Sequence, residues 1–396
     1  MIELREHQKT VIDTLSEYKK GQIIVPTGGG KTMCMIEDAQ KVFHTREIAT
    51  IVVVAPRILL AEQLCSEFME IIDFPNVRVM HVHSGETKYH SSTKVDDIRL
   101  HNYNCYEDNA HQIIFTTYHS LHRIQESDIV VDVVYFDEAH NSVQRNFYPA
   151  TEHFATRDNS RCFFFTATPK HSLTPFKAGM NDTEVYGNVL INVPAPKLVD
   201  EGYILPPKVE VYKSRLLRKD EIYSEVESEQ MIGAIDKLEV DKVLICAKST
   251  KQIIGLLSQS DFCYELSVRG YSWMTITSRT GAIINGQKVG RDEFFDTLNA
   301  WGKDDEKKFV VLHHSILAEG INVKGLEAAL FMRNMDYITI SQTIGRVIRL
   351  GNDKKTHGKV CVPVYNNVGI STARKVEAVV DTVFNQGEPA ISVITR

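Results

Sequence analysis

Residues 21–40 read GQIIVPTGGGKTMCMIEDAQ, with three consecutive glycines between an apolar run and a run of helical periodicity. Each glycine costs chain entropy on folding, so the bend must need bare backbone. Strand, glycine-rich loop and helix, in that order, is the setting of a P-loop. There the backbone N–H groups of Thr27, Gly28, Gly29 and Gly30 would cradle phosphate oxygens, helped by the positive end of the following helix. Lys31 would reach the β- and γ-phosphates, and the Thr32 hydroxyl would bind Mg²⁺. The strict GxxxxGK[ST] pattern asks for glycine at position 25, where this chain has Val25. A glycine-rich turn followed by a chance Lys-Thr is the competing reading.

A nucleotide site also needs an acidic half. VVYFDEAH (133–140) supplies one. Asp137 ends an apolar run and is the candidate Mg²⁺ ligand. Glu138 beside it is the candidate for orienting and polarising the attacking water. A solvated Asp-Glu pair at a strand end is the plainer alternative. A third element, SQTIGRVIRLG (341–351), spaces Gln342, Arg346 and Arg349 at i, i+4 and i+7. One helix would carry all three on one face and end at Gly351. Arginines so aligned can stabilise charge on a transferring phosphoryl group, although two arginines on a helix are commonly a solvated face.

Around these motifs, short apolar runs recur at QIIV (22), TIVVVA (50), QIIFTT (112), VVDVVYFD (130) and CFFFTAT (162). Near-continuous hydrophobicity suits strands buried on both faces, and intervening helical stretches such as LLAEQLCSEFMEII argue a parallel sheet covered by helices. A second series follows EGYILPPKVE (201–210): KVLICA (242), SWMTIT (272), KFVVLHHS (308), AALFMR (328) and KVCVPVY (359). Pro206 and Pro207 cannot lie in a buried strand or a helix interior, so the boundary between two α/β lobes is placed near them.

The bulk numbers allow this. A chain of 396 residues, 43% apolar and 24% charged, accommodates two globular domains. The net charge of −6 excludes a global basic field but not a local basic groove. Seven cysteines without a CxxC pair point to reduced thiols rather than disulfides or a zinc ribbon. No apolar stretch reaches membrane-spanning length, and MIELREHQKTVID lacks a signal-peptide core. A cytoplasmic protein, monomeric by default, is the expectation.

The order of the motifs resembles superfamily 2 helicases and translocases of the DEAH-box type. The nearest groups are the translocating subunits of restriction enzymes and the phage branched-DNA helicases. The resemblance implies an α/β fold of two tandem RecA-like domains, each a mainly parallel sheet flanked by helices, at 1–203 and 204–396. LREHQ (4–8) is similar to the adenine-reading motif, with Arg5 and Gln8 near the base. VVVAPRILLAEQ resembles motif Ia and FTTYHSL motif Ib, which puts Pro56, Arg57, Thr116 and Thr117 at a nucleic-acid track. DEAH is motif II. TATP resembles motif III, with Thr166 and Thr168 coupling nucleotide to track. LICAKST looks like motif IV, with Lys248 on the track. HHSILAEGINV looks like motif V, with Ser315 on the track and Glu319 and Gly320 beside it. QTIGRVIR is motif VI, with Arg346 and Arg349 as arginine fingers completing the ATP site held by the first lobe. Motif V departs from the family pattern at Ser315 and Asn322, which keep hydrogen-bonding capacity.

The resemblance implies an enzyme using ATP and Mg²⁺ to move along DNA and unwind or remodel it. Single-stranded, forked or branched DNA is the expected partner, favoured over RNA by the LRxxQ form and by His140. RNA and a protein partner stay open, and no membrane is expected. A duplex translocase that separates no strands, an RNA helicase and a slow ATP-gated clamp are the alternatives.

Two polar segments, 81–111 and 278–293, read as long surface connections. The first carries His81, His83, His90, His101, Cys105 and His111, whose spacing matches no metal-ligand pattern, and Tyr89, Tyr103 and Tyr106, which would stack on bases or pack their own loop. The second offers Arg279, Lys288 and Arg291 to nucleic acid, or is a glycine-rich connection.

Overall fold

The apolar runs of the first half become the middle of one sheet because only a central strand must be apolar on both faces. The strands are β1 (Lys20–Ile24), β2 (Thr50–Ala55), β3 (Val77–Val82), β4 (His90–Ser91), β5 (His111–Thr117), β6 (Val133–Phe136), β7 (Arg161–Thr166), β8 (Lys170–Ser172) and β9 (Val189–Asn192). Eight of them form a sheet in the order β4-β3-β5-β2-β6-β7-β1-β9, every pair parallel. The five predicted runs are the five adjacent strands β5-β2-β6-β7-β1, and Phe136 stacks on Phe164 across β6 and β7 with centroids 4.7 Å apart.

The second half gives β10 (Pro207–Lys213), β11 (Lys242–Cys246), β12 (Ser272–Thr277), β13 (Gly281–Ile284), β14 (Gln287–Val289), β15 (Phe309–His313), β16 (Ala328–Phe331) and β17 (Gly358–Val364). Their order is β10-β17-β16-β11-β15-β12-β13-β14, parallel except where β13 pairs with β12 and β14. Pro207 opens β10 at the sheet edge, where a missing N–H is tolerated. The protein is thus α/β, with two RecA-like sheets in tandem. The structure, a computed structural model, describes residues 3–213, 222–277, 279–314, 323, 325–351, 355–365 and 367–395.

By packing, the chain divides into Met1–Val193 with Ile391–Arg396 and Pro194–Ala390. The first crossing lies at Val193/Pro194 rather than 203/204. The intervening stretch packs with the second unit: its helix, Ala195–Asp200, lies against Asp381–Asn385. The final strand, β18 (Ser392–Ile394), rejoins the first unit by pairing in parallel with β8. No helix among the described residues is long and apolar enough to cross a membrane.

Both polar segments differ from the expectation of plain surface connections. Residues 81–111 contain the end of β3, β4 and the helix Val95–Glu107, which buries Ile98, Asn102 and Cys105. His81, His83 and His111 are buried too. Tyr103 and Tyr106 are exposed on that helix. Residues 278–293 hold the β13–β14 hairpin, turned at Asn285 and Gly286 with φ of 46° and 85°.

Candidate nucleotide-binding site

All strands of the first sheet point their C-terminal ends to one edge, where ligands of open parallel sheets bind. The glycine-rich loop leaves β1 at that edge and enters the helix Lys31–Thr45. Val25 follows the last residue of β1, its side chain fully buried and its N–H bonded to Thr166 O at 3.0 Å. Position 25 therefore has no use for glycine. Gly28 and Gly30 do, with φ of 88° and 81°; the Gln8 amide also stands where a Cβ on residue 30 would go. Thr27 and Thr32 flank them, both half-buried.

The helix Glu6–Glu17 holds the loop from outside. Arg5 Nη1 donates to Gly28 O at 3.1 Å, His7 Nε2 to Gly29 O at 2.7 Å and Gln8 Nε2 to Gly30 O at 3.2 Å. Three successive carbonyls are fastened from one side, and the Gly29 N–H is given to Pro26 O at 2.9 Å within the loop. His7 was not singled out in the sequence. Its position between Arg5 and Gln8 in one helical turn was the available signal. Lys31 Nζ donates to Val25 O at 3.4 Å.

Asp137 and Glu138 follow β6 and are both buried. Asp137 N–H bonds Val54 O at 2.9 Å, and its carbonyl accepts the Tyr118 hydroxyl at 2.9 Å. Burial raises the Asp137 carboxyl to about 7, the neighbouring Glu138 charge adds to this, and the Lys31 ammonium opposes it. Two carboxylates desolvated side by side suit a bound divalent cation, which would reverse that penalty. A carboxylate oxygen of this kind is the donor chemistry that Mg²⁺ takes. Glu138 is left-handed at φ 46°, a costly place for a side chain. Asn141 locks it by donating Nδ2–H and N–H to Glu138 O, each at 3.0 Å.

His140 joins this pair to the end of β7. Asn141 Nδ2 donates to its Nε2 at 3.2 Å, so the proton is on Nδ1, which faces Thr166 Oγ1 at 3.1 Å, Thr168 Oγ1 at 3.3 Å and Glu138 Oε2 at 3.6 Å. Thr168 N–H also donates to Thr166 Oγ1 at 3.0 Å. The fold thus brings DEAH and TATP together.

Of the other candidates in this unit, Pro56 is buried and Arg57 is exposed at the start of the helix Ile58–Ile71. Thr116 is fully buried, its hydroxyl given to Val82 O at 2.8 Å, and Thr117 Oγ1 faces Ser120 Oγ at 3.4 Å. In the second unit, Gln342 and Arg346 are buried on the helix Tyr337–Val347. Arg349 is not on that helix, nor does Gly351 end it. Leu205 N–H takes the Ile348 carbonyl and Lys355 Nζ takes the Arg349 carbonyl at 2.6 Å, so tertiary partners stop the helix early. Lys248 is exposed, its N–H donating to Gln252 Oε1 at 2.6 Å. Ser315, Glu319, Gly320 and Asn322 lie outside the described residues.

Residues 1–171 match the family described as "Type III restriction enzyme, res subunit" (ResIII). No curated protein matches the chain. Among solved structures, the ATP-dependent Type ISP restriction-modification enzyme LlaBIII, bound to DNA, superposes with a TM-score of 0.75 at 17% identity, over 100% of this chain and 31% of that one. A nuclease-deletion mutant of the Type ISP enzyme LlaGI, with a DNA substrate mimic, gives 0.66 at 18% over 98% and 30%. S. cerevisiae Dbp5, bound to RNA and ADP BeF3, gives 0.62 at 14% over 98% and 89%. The chain thus spans about a third of the length of the two restriction enzymes. Residues 1–171 carry the ResIII pattern, and the resemblance to superfamily 2 translocases of the restriction-enzyme type stands on that independent match.

Proposed function

We propose that the chain is a nucleic-acid-dependent ATPase, a DNA helicase or translocase that couples ATP hydrolysis to movement along DNA. The reading is carried by the buried Asp137–Glu138 pair at a strand end, electrostatically coupled to Lys31 of the glycine-rich loop. Lys31 and the loop N–H groups from Thr27 to Gly30 would bind the phosphates, with Arg5 and Gln8 on the adenine side. Thr32 and Asp137 would hold Mg²⁺, which when bound neutralises phosphate charge. Glu138 would orient the attacking water and accept its proton. Gln342, Arg346 and Arg349 would meet the charge of the transferring phosphoryl group, with Gly320 near the nucleotide. Pro56, Arg57, Thr116, Thr117, Lys248 and Ser315 would form the track, gripping sugar and phosphate without reading bases.

DNA is favoured by the LRxxQ form, by His140 and by the DNA-bound restriction enzymes of like fold; Dbp5, bound to RNA, is the counterexample. The test is phosphate release with single-stranded, duplex, forked and four-way DNA and with RNA. DNA is expected to stimulate it, less so as salt rises. Glu138→Gln should then lower the stimulated rate by roughly 10²–10⁴-fold. Stronger stimulation by single-stranded RNA than by any DNA would move the partner to RNA. A parent protein that no nucleic acid stimulates sinks the motor. Strand displacement assayed beside triplex displacement separates a helicase from a duplex translocase.

A further inference from the structure

In the second unit, β16, β11 and β15 lie side by side and run parallel. Cys246 pairs with Phe331 on one side and His313 on the other. The ladder goes one step further: Met332 N–H donates to Cys246 O at 3.1 Å, and Ala247 N–H to His313 O at 2.8 Å. Lys248 and Arg333 therefore stand level where their strands leave one edge, and His314 leaves β15 at the same edge one residue earlier.

Arg333 is the unusual member. Its Nε is enclosed by protein with no hydrogen-bond partner, and no ion pair engages its guanidinium among the described residues. Its charge and that of Arg346 both act on Cys246 and His313, and its charge acts on His314 as well. Among the described residues, the carboxylates nearby in sequence or charge are committed elsewhere. Asp336 caps the next helix through Thr339 N–H at 2.7 Å. Glu227, coupled to Lys248, is buried and takes the Tyr365 hydroxyl at 2.8 Å and Gln252 Nε2 at 2.6 Å. Buried donors left without acceptors are rare in folded proteins and call for a partner. Converging positive charges at a low-dielectric edge call for an anion. A guanidinium fork matches phosphate oxygens in geometry as well as charge.

We infer that Arg333, flanked by Lys248 and His314, is the centre of a phosphate-binding seat at the ends of β16, β11 and β15. The chemistry is that of a phosphate oxyanion, supplied by a nucleic-acid backbone or by the nucleotide. The inference rests on the proposed function only for the choice between those sources.

The experiment is binding by the full chain carrying Arg333→Gln. One titration uses labelled single-stranded DNA over a series of salt concentrations; the other uses a non-hydrolysable ATP analogue without DNA. If the phosphate belongs to the backbone, DNA affinity falls roughly tenfold and the log–log salt slope becomes shallower by about 0.7, with analogue affinity unchanged. If it belongs to the nucleotide, analogue affinity falls by a similar factor and the DNA slope stays. Arg333→Lys, which keeps the charge and loses the fork, should weaken the responsive titration a few-fold and serves if the glutamine variant does not fold. Parent-like affinity of a folded Arg333 variant in both titrations overturns the seat. A parent protein without stimulated phosphate release would end the motor reading and leave this binding test intact.

Discussion

His83 Nδ1 accepts the Gly85 N–H at 3.2 Å, so the His83 proton is on Nε2 and is donated to His81 Nδ1 at 3.0 Å. His81 also stacks on Phe115, centroids 5.6 Å apart. Burial, and secondarily the His83 ring, lowers His81 from 6.5 to about 4. Protonation would cost the bond from His83 and put charge on a buried ring. Above pH 6.5 both folded and unfolded chains hold His81 neutral, and its contribution is fully present. Between 6.5 and about 4 only the unfolded chain takes the proton, so stability is lost as pH falls. The loss is on the order of 2–3 kcal/mol. Urea melts of the parent and His81→Gln at pH 7.5, 6, 5 and 4.5 measure it. The variant should show a flatter acid limb; an unchanged limb would mean that His81 carries no part of it. Nothing in the residue pattern HVH announced this pair. Two histidines in a polar stretch look like surface until His81 is known to lie in β3 and His83 just past its end.

At the element scale, legibility followed hydrophobic contrast. Central strands such as β2 and β5 are buried at every residue and stood out as apolar runs. β3 mixes Arg78 and His81 into its length, and β10 lies at an edge, so neither did. The helix Val95–Glu107 hides its buried face in Ile98, Asn102 and Cys105, only two of them apolar. The β13–β14 hairpin is legible in Asn285-Gly286, since Asn-Gly is a strong two-residue turn signal. Positive φ at both turn residues identifies the primed turn, and Asn285 is fastened by its N–H to Trp273 O at 2.9 Å and by its Oδ1 from Trp273 N–H at 2.8 Å. Gly286 has nothing within 4 Å of where a Cβ would stand, so Gly286→Ala tests backbone strain alone. It should destabilise the second unit by about 1 kcal/mol. Denaturant midpoints decide; a neutral or stabilised variant would show that the turn is not held in the left-handed region. The end of the Tyr337–Val347 helix could not be read at all, because Leu205 and Lys355 stop it from outside.

For the whole molecule, the candidate site was legible where chemistry fixes spacing within one segment. The glycine-rich loop and the Asp137–Glu138 pair were read from the sequence. What brings them together, through His140, Thr166 and the carbonyl clamp of Arg5, His7 and Gln8, required the sheet order β6-β7-β1. The chain crosses between its units twice, at Val193/Pro194 and Ala390/Ile391. The second crossing returns only the segment 391–396, yet that segment is built into the first unit. Ser392 N–H donates to Pro169 O at 3.1 Å and Ile394 O accepts Leu173 N–H at 2.9 Å, so β18 clamps the strand that leaves TATP. Removing residues 391–396 should cost the first unit about 1–3 kcal/mol, the net of a few hydrogen bonds and the partly covered Ile394 side chain. The second unit should keep its own transition. Hydrogen exchange resolves the two: in the shortened chain, amides of Lys170–Leu173 should lose protection while those of β11 and β15 keep it. Equal loss in both units would show that the C-terminal strand supports the molecule as a whole rather than the unit it pairs with, and unchanged protection at Leu173 would show that β8 needs no partner.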